Sequence, residues 1–308
     1  MSMTRRRVVV AALFLTSALV VPGAARGGAT VPDGSTEPFF FIQMADSQFG
    51  FFATPLLLAV AGMPWNADDV AREAVLFEQA IAHVNRLRPA FVVICGDLVN
   101  LPRQPTQTAE FNRIRALLRD DVPLYLVPGN HDVGNAPTRA SLAWYRSTFG
   151  PDRYTFDHGG MRGIVLNSVV ERAPGQVPLA RAAQRQWLAN TLERARRDDV
   201  QPLLVFQHHP LFLEDPAEPA SAFNLPLDER QYLLDLFKTY GVRAVLAGHY
   251  HRNALARDGG LELITTSAVG RPLGDDPSGF RVVKVWPDRI EHEYYGLDDV
   301  PDAITFGD

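Results

Sequence analysis

Five stretches of this 308-residue chain gather side chains that could hold metal cations. They read Asp46-Ser47-Gln48, Gly96-Asp97-Leu98-Val99-Asn100, Gly129-Asn130-His131-Asp132, Gln207-His208-His209-Pro210 and Gly248-His249-Tyr250-His251. Five of the eight histidines fall inside them. Carboxylate, amide and imidazole are the donors that Mg, Mn, Fe and Zn take. One such block alone would be a helix cap or a turn. Five together point to a pair of cations, whose general use is to polarise an ester oxygen and to activate water.

Each block follows a short apolar run. The runs 39–44, 91–95, 124–127, 202–207 and 242–247 read as buried strands, joined by 163–167 and 261–265. Helical spacing of three and four marks 67–87 (Val70, Ala74, Phe77, Ile81, Val84), 106–118 (Phe111, Ile114, Leu117, Leu118), 180–197 and 227–240. The segments 280–286 and 289–295 alternate around Pro287-Asp288 as a hairpin. Strands alternating with helices and closing on a hairpin imply an α/β layered domain with mixed sheets. Ligands in such folds gather at the carboxyl ends of the strands, where all five blocks fall.

The order of these blocks resembles the calcineurin-like metallophosphoesterase superfamily, over residue 39 to the end of the chain. Within it, Ala45-Asp46-Ser47-Gln48-Phe49-Gly50, Cys95-Gly96-Asp97-Leu98-Val99-Asn100 and Gly129-Asn130-His131-Asp132-Val133-Gly134-Asn135 look like one subfamily. So does Gly248-His249-Tyr250-His251-Arg252-Asn253, followed by Thr266-Ser267-Ala268-Val269-Gly270. That subfamily is the calcineurin-like phosphoesterase domain-containing protein 1 group, whose animal member is a serine/threonine phosphatase. The resemblance implies a four-layer αββα sandwich of two mixed β-sheets flanked by helices, over residues 38–300 with a tail at 301–308. It implies two divalent metal ions drawn from Mn, Fe, Mg or Zn. Asp46, His251 and Gln48 would hold one, Asn130, His208 and His249 the other, and Asp97 would bridge both with its two oxygens. His208 rather than its neighbour His209 would be the ligand. A hydroxide between the metals would attack phosphorus, His131 would protonate the leaving oxygen, and Asp132 would orient the His131 ring. Asn100, His209, Arg252 and Asn253 would touch substrate. The superfamily's first block usually reads Asp-x-His. Here position 48 is Gln, a weaker and harder ligand than imidazole that favours Mn or Mg over Zn. Asn100 stands where purple acid phosphatases carry tyrosine, so no tyrosinate–iron colour is expected.

Three functions follow as expectations. The first is hydrolysis of phosphate monoesters on a phosphorylated small molecule or phosphoprotein, including phosphoserine or phosphothreonine. The second is phosphodiester hydrolysis on nucleotides or lipid headgroups. The third is a non-catalytic, metal-dependent binding protein, for which Gln48 is the one support. Composition narrows the field. Apolar residues make up 46% and charged residues 21%, which excludes a disordered chain. Net charge is −5, so nucleic acid is a poor structural partner.

Residues 1–30 read as a leader. Arg5, Arg6 and Arg7 precede a 14-residue apolar run at 8–21 and the small residues of Pro22-Gly23-Ala24-Ala25. Thr4-Arg5-Arg6-Arg7-Val8-Val9 resembles a twin-arginine export signal. The run is shorter than the ~20 residues a spanning helix needs. The chain is therefore expected to be exported to the periplasm or beyond, with an uncleaved N-terminal anchor as the alternative and no permanent span. Cys95, the sole cysteine, reads as a buried free thiol. Phe49, Phe51, Phe52 and the apolar stretch 56–63 could cover the site or pack on the core. His83, His158 and His292 are expected to be structural or exposed.

Overall fold

The fold is that of a computed structural model, which describes residues 37–53, 66 and 68–307. The leader 1–30 and the apolar stretch 56–63 lie outside the described residues. In chain order the elements are β1 (Phe39–Met44), α1 (Ala71–Leu87), β2 (Val92–Ile94), α2 (Pro105–Arg115), β3 (Leu124–Leu126), α3 (Asn130–Val133), α4 (Arg139–Thr148), β4 (Tyr154–His158), β5 (Met161–Val165), α5 (Ser168–Arg172), α6 (Pro178–Arg197), β6 (Leu203–Phe206), α7 (Leu227–Thr239), β7 (Val242–Ala247), β8 (Ala254–Asp258), β9 (Leu261–Thr265), β10 (Gly279–Val285) and β11 (Ile290–Gly296).

Two mixed sheets form. One has five strands in the order β11-β10-β1-β2-β3, the other six in the order β4-β5-β6-β7-β9-β8. Strands β1, β2 and β3 run parallel, as do β5, β6, β7 and β9, while the hairpin partners β10–β11, β4 and β8 are antiparallel. The period of two decides the layering. Phe41, Val93, Cys95 and Val127 of the first sheet meet Phe156, Leu204, Phe206, Leu246 and Ile264 of the second in one buried cluster. The alternate residues Ile42, Met44, Val92 and Ile94 face outward onto Phe77, Ile81, Val84, Phe111 and Ile114 of α1 and α2. On the far side Ile164, Leu203, Val205 and Val245 pack on Leu188, Leu192, Leu233, Leu234 and Phe237 of α6 and α7. The result is a four-layer αββα sandwich. Cys95 is buried between the sheets as expected, and burial pushes its thiol pKa up.

Three elements differ from the sequence reading. Helix α1 starts at Ala71, not at 67, and α2 stops at Arg115, so Leu117 lies beyond it and is half exposed. The strand expected at 163–167 lies at Met161–Val165. Its partner β4 turns through Gly159 and Gly160, so His158 ends a strand, with its ring edge-on to Phe39 at 4.6 Å. Among the described residues no helix is long and apolar enough to cross a membrane.

Candidate metal centre

The carboxyl ends of β1, β2, β3, β6 and β7 converge. Main-chain bonds tie the loops together there: Asp46 N to Gly96 O at 3.1 Å within the first sheet, Gly248 N to His208 O at 3.0 Å within the second, and Val269 N to Ala45 O at 2.9 Å from one sheet to the other. The turns are tight enough to demand glycine. A Cβ on Gly129 would sit 2.1 Å from Asp97 Oδ1, and one on Gly248 would sit 2.7 Å from Asp46 Oδ2. Of the eight described non-glycine residues with positive φ, five are Asp46, Gln48, Asp97, His249 and His251. Holding a non-glycine residue in that region costs about 1–3 kcal/mol. The fold therefore stores strain at the residues expected to bind metal.

Four histidine rings are fixed in one way. His131 Nδ1 lies 2.7 Å from the Asn100 carbonyl, His208 Nδ1 2.8 Å from that of Cys95, His249 Nε2 2.9 Å from that of Ala222, and His251 Nδ1 2.6 Å from that of Arg271. A carbonyl oxygen only accepts, so each of these nitrogens carries the proton and the neutral ring's lone pair falls on the other nitrogen. That is the usual arrangement behind a metal-binding imidazole.

The freed atoms meet. His208 Nε2 stands 2.9 Å from Asn130 Oδ1, 3.1 Å from His249 Nδ1 and 3.2 Å from Asp97 Oδ2. Asn130 Nδ2 donates to Asn135 Oδ1 at 2.9 Å, which turns its oxygen inward. Four acceptors this close repel unless a proton or a cation lies among them. In the bare chain a proton does so. Burial works against the charge on His208, but the Asp97 carboxylate outweighs it and carries the pKa up to about 9. Burial and then the His208 charge push His249 down to about 4. Burial would raise Asp97, yet His208, His131 and His249 hold it well below the usual carboxylate range.

Beside this cluster His251 Nε2 approaches Asp46 Oδ1 to 3.4 Å. Gln48 is oriented by its amide, whose Nε2 donates to Asn100 Oδ1 at 3.3 Å. Asp46 Oδ1 and Gln48 Oε1 are buried oxygens with no hydrogen-bond partner among the described residues. Unpaired buried acceptors cost about 1–3 kcal/mol each, a cost that a bound cation removes. Orphaned oxygens, facing lone pairs and a donor set of carboxylate, amide and imidazole fit divalent metal. Asp46, Asp97 and His208 offer ligand atoms within 4.8 Å of one another, and so do His208, His209 and His249.

Several expectations change. Asp132 does not orient His131. Its Oδ1 accepts from the amides of Leu98 and Val99 at 2.9 and 3.2 Å, and its Oδ2 from Gly129 at 2.8 Å. It ties the second and third blocks together, while the Asn100 carbonyl orients His131. Burial and the Asp97 charge raise the Asp132 pKa to about 8. Asp97 Oδ1 also accepts from the His131 amide at 2.8 Å, which fixes the carboxylate and leaves each of its oxygens a lone pair for metal. Asn100 is buried and acts as a support, its Nδ2 donating to the Gly50 carbonyl at 3.3 Å. His209 is buried behind His249, ring centroids 4.3 Å apart, with Nδ1 2.9 Å from Ser168 Oγ. Burial and the neighbouring histidines keep it far below its ordinary pKa. Arg252 reaches the Leu273 carbonyl at 2.7 Å, and Asn253 Oδ1 accepts from Arg281 at 2.6 Å. His131, in contrast, is half-buried. The sequence reading missed the carbonyls of Cys95, Ala222 and Arg271 and the side chains of Ser168 and Asn135.

A family model described as calcineurin-like phosphoesterase matches residues 43–253. The serine/threonine-protein phosphatase CPPED1 of Rattus norvegicus is 40% identical over 271 residues, covering 86% of both chains. The cAMP/cGMP dual specificity phosphodiesterase MT0825 of Mycobacterium tuberculosis is 29% identical over 262 residues, covering 78% of this chain and 76% of that protein. Among solved structures, a dimetal phosphatase from Danio rerio superposes with a TM-score of 0.60 at 19% identity, covering 85% of this chain and 97% of the other.

Proposed function

This chain belongs to the calcineurin-like phosphoesterase family, and from that premise we propose that it hydrolyses phosphate monoesters, phosphoserine and phosphothreonine among them. The observation that carries this reading is the quartet of carbonyl-fixed histidines around Asp97, with two orphaned oxygens beside it.

Asp46, Gln48, Asp97 and His251 would hold one divalent ion, and Asp97, Asn130, His208 and His249 the other. When bound, such a pair supplies Lewis acidity toward phosphate oxygens and a nucleophile from water at neutral pH. The chain's own residues do the rest. Asn100 holds Gln48 by its side chain and His131 by its carbonyl, so ligand and proton donor are set by one residue. With Nδ1 donating to the Asn100 carbonyl, the doubly protonated His131 ring carries its second proton on Nε2; it would give that proton to the departing ester oxygen as the bond to phosphorus breaks and return to the neutral ring. Asp132 keeps the turn that presents His131, and the Asp97–His131 amide bond sets the distance between carboxylate and ring.

The test compares p-nitrophenyl phosphate with bis-p-nitrophenyl phosphate in Mn. Turnover of the monoester is expected, lost in Asp97→Asn and lowered about 10²–10⁴-fold in His131→Asn. Preference for the diester would replace this reading with the phosphodiesterase one, which the Mycobacterium tuberculosis relative favours by its name. Bound metal with no turnover of either ester would leave a binding protein.

A further inference from the structure

Next to the metal centre two guanidinium groups share one ring. Arg72, in the first turn of α1, places its Cζ 4.9 Å from the centroid of Phe52. Arg271, just after Gly270, places its Cζ 5.2 Å from the same centroid. Among the described residues neither guanidinium makes a hydrogen bond or an ion pair, whereas Arg113, Arg146, Arg162, Arg181 and Arg185 each have a carboxylate partner. Burial and then the charge of Arg72 both lower the Arg271 pKa, so the two like charges feel each other. Glu73 is close, but its carboxylate accepts from the Phe52 amide at 2.8 Å, and burial raises its pKa. The acid nearest the pair is thus committed to the backbone.

The pair belongs to the same loops as the expected first metal site. The Arg271 carbonyl fixes His251 at 2.6 Å, the Gly270 amide donates to Asp46 O at 3.1 Å, and the Phe51 ring lies 5.2 Å from the His251 ring. The backbone that carries Arg271 and the loop that carries Phe52 thus also support the expected metal ligands His251 and Asp46.

We propose that Arg72 and Arg271 form an anion subsite beside the catalytic centre, selecting phosphate monoesters that carry a second anionic group near the ester. This rests on the phosphomonoesterase reading above and adds the class of substrate. Two planar cations held against one aromatic ring, with no carboxylate partner of their own among the described residues, are preorganised for a carboxylate or a second phosphate. An anion that reaches both offsets their repulsion. On a chain of net charge −5, a basic pair with no ion-pair partner among the described residues gives a polyanion a local place to settle.

The experiment uses the Mn-loaded chain, p-nitrophenyl phosphate and three phosphoserine peptides. Their flanking position is Glu, a second phosphoserine, or Gln. Wild type is expected to prefer the first two peptides by KM. Arg72→Gln, at an exposed helix position, should raise KM for those two about tenfold, the scale of one charge-assisted contact. It should leave the Gln peptide and p-nitrophenyl phosphate within about twofold. Arg72→Lys, which keeps the charge, should restore part of the preference if Arg72→Gln folds poorly. Turnover of p-nitrophenyl phosphate with equal KM for all three peptides overturns the subsite alone. Loss on every substrate alike in the variant also overturns it. No turnover of any monoester by wild type overturns the phosphomonoesterase reading and the subsite with it.

Discussion

His131 and Asp132 are neighbours in sequence with separate work. Asp132 is fully buried and its two oxygens receive three backbone amides, so removing it strands three donors. Asp132→Ala is expected to lose about 3 kcal/mol or more in urea titration, with or without metal. His131→Asn should unfold at the wild-type urea concentration while losing turnover. Equal stability of Asp132→Ala and wild type would refute the anchoring role. The donor types at the centre were legible in the sequence, because carboxylate, amide and imidazole after five successive strands have few other uses. Their partners were not. Three of the rings that line the centre lean on the carbonyls of Cys95, Ala222 and Arg271, and a carbonyl is the same atom in every residue. The sequence order His131-Asp132 suggested a ring–carboxylate pair; a one-turn helix instead sends the two side chains to opposite sides.

A single loop decides how His249 sits. Residues 213–222, rich in Pro, Glu and Asp, form part of the loop between β6 and α7. In the structure Ala222 supplies the carbonyl for His249, and Phe223 lies 6.1 Å from its ring. The loop is held from beneath by Arg230, fully buried and donating to the carbonyls of Pro216, Glu218 and Leu225. The Glu218 carboxylate gathers the amides of Leu213, Glu214 and Asp215. Arg230→Met should release Ala222 and lower Mn affinity about 10–100-fold in chelator competition, while far-UV circular dichroism stays unchanged. Unaltered Mn affinity would show that the loop does not support the centre. Long elements were legible because their apolar periods are unbroken, as in α6 and α7. The edge strands β4 and β8 escaped notice because Tyr154–His158 and Ala254–Asp258 are short and carry charge, and edge positions are only half covered. Helix α4 escaped because only Leu142 and Tyr145 of its ten residues are buried.

At the scale of the molecule, acid sensitivity should come partly from the β10–β11 hairpin. His292 is half-buried beside Arg281, whose Nη1 lies 3.0 Å from its Nδ1, and it feels Arg257 as well; Glu262 faces it at 3.6 Å. Burial and then the two arginines push its pKa from 6.5 to about 4. Unfolding restores the ordinary value, so between these limits the unfolded chain binds more protons. Stability is therefore full above pH 6.5 and falls as pH drops toward 4. The difference in stability between wild type and His292→Gln should narrow or reverse across that interval. A pH-independent difference would contradict the assignment. A layered α/β domain with mixed sheets was legible at this scale because apolar strands alternate with helices and close on a hairpin; the four-layer order came from the family resemblance. How the two sheets share a site was not, because it depends on left-handed turns at Asp46, Gln48, Asp97, His249 and His251 that no residue type there advertises. Those turns also say where the molecule should come apart first. Strain gathered at the strand tips lowers the free energy of local opening there. In chelator, the amides of Gln48, Asp97 and His249 should exchange with deuterium well ahead of those in the middle of β1 and β7. Adding Mn should slow the tips and leave the mid-strand amides as they were, so that one ion's grip is read out as a change in the rhythm of the backbone.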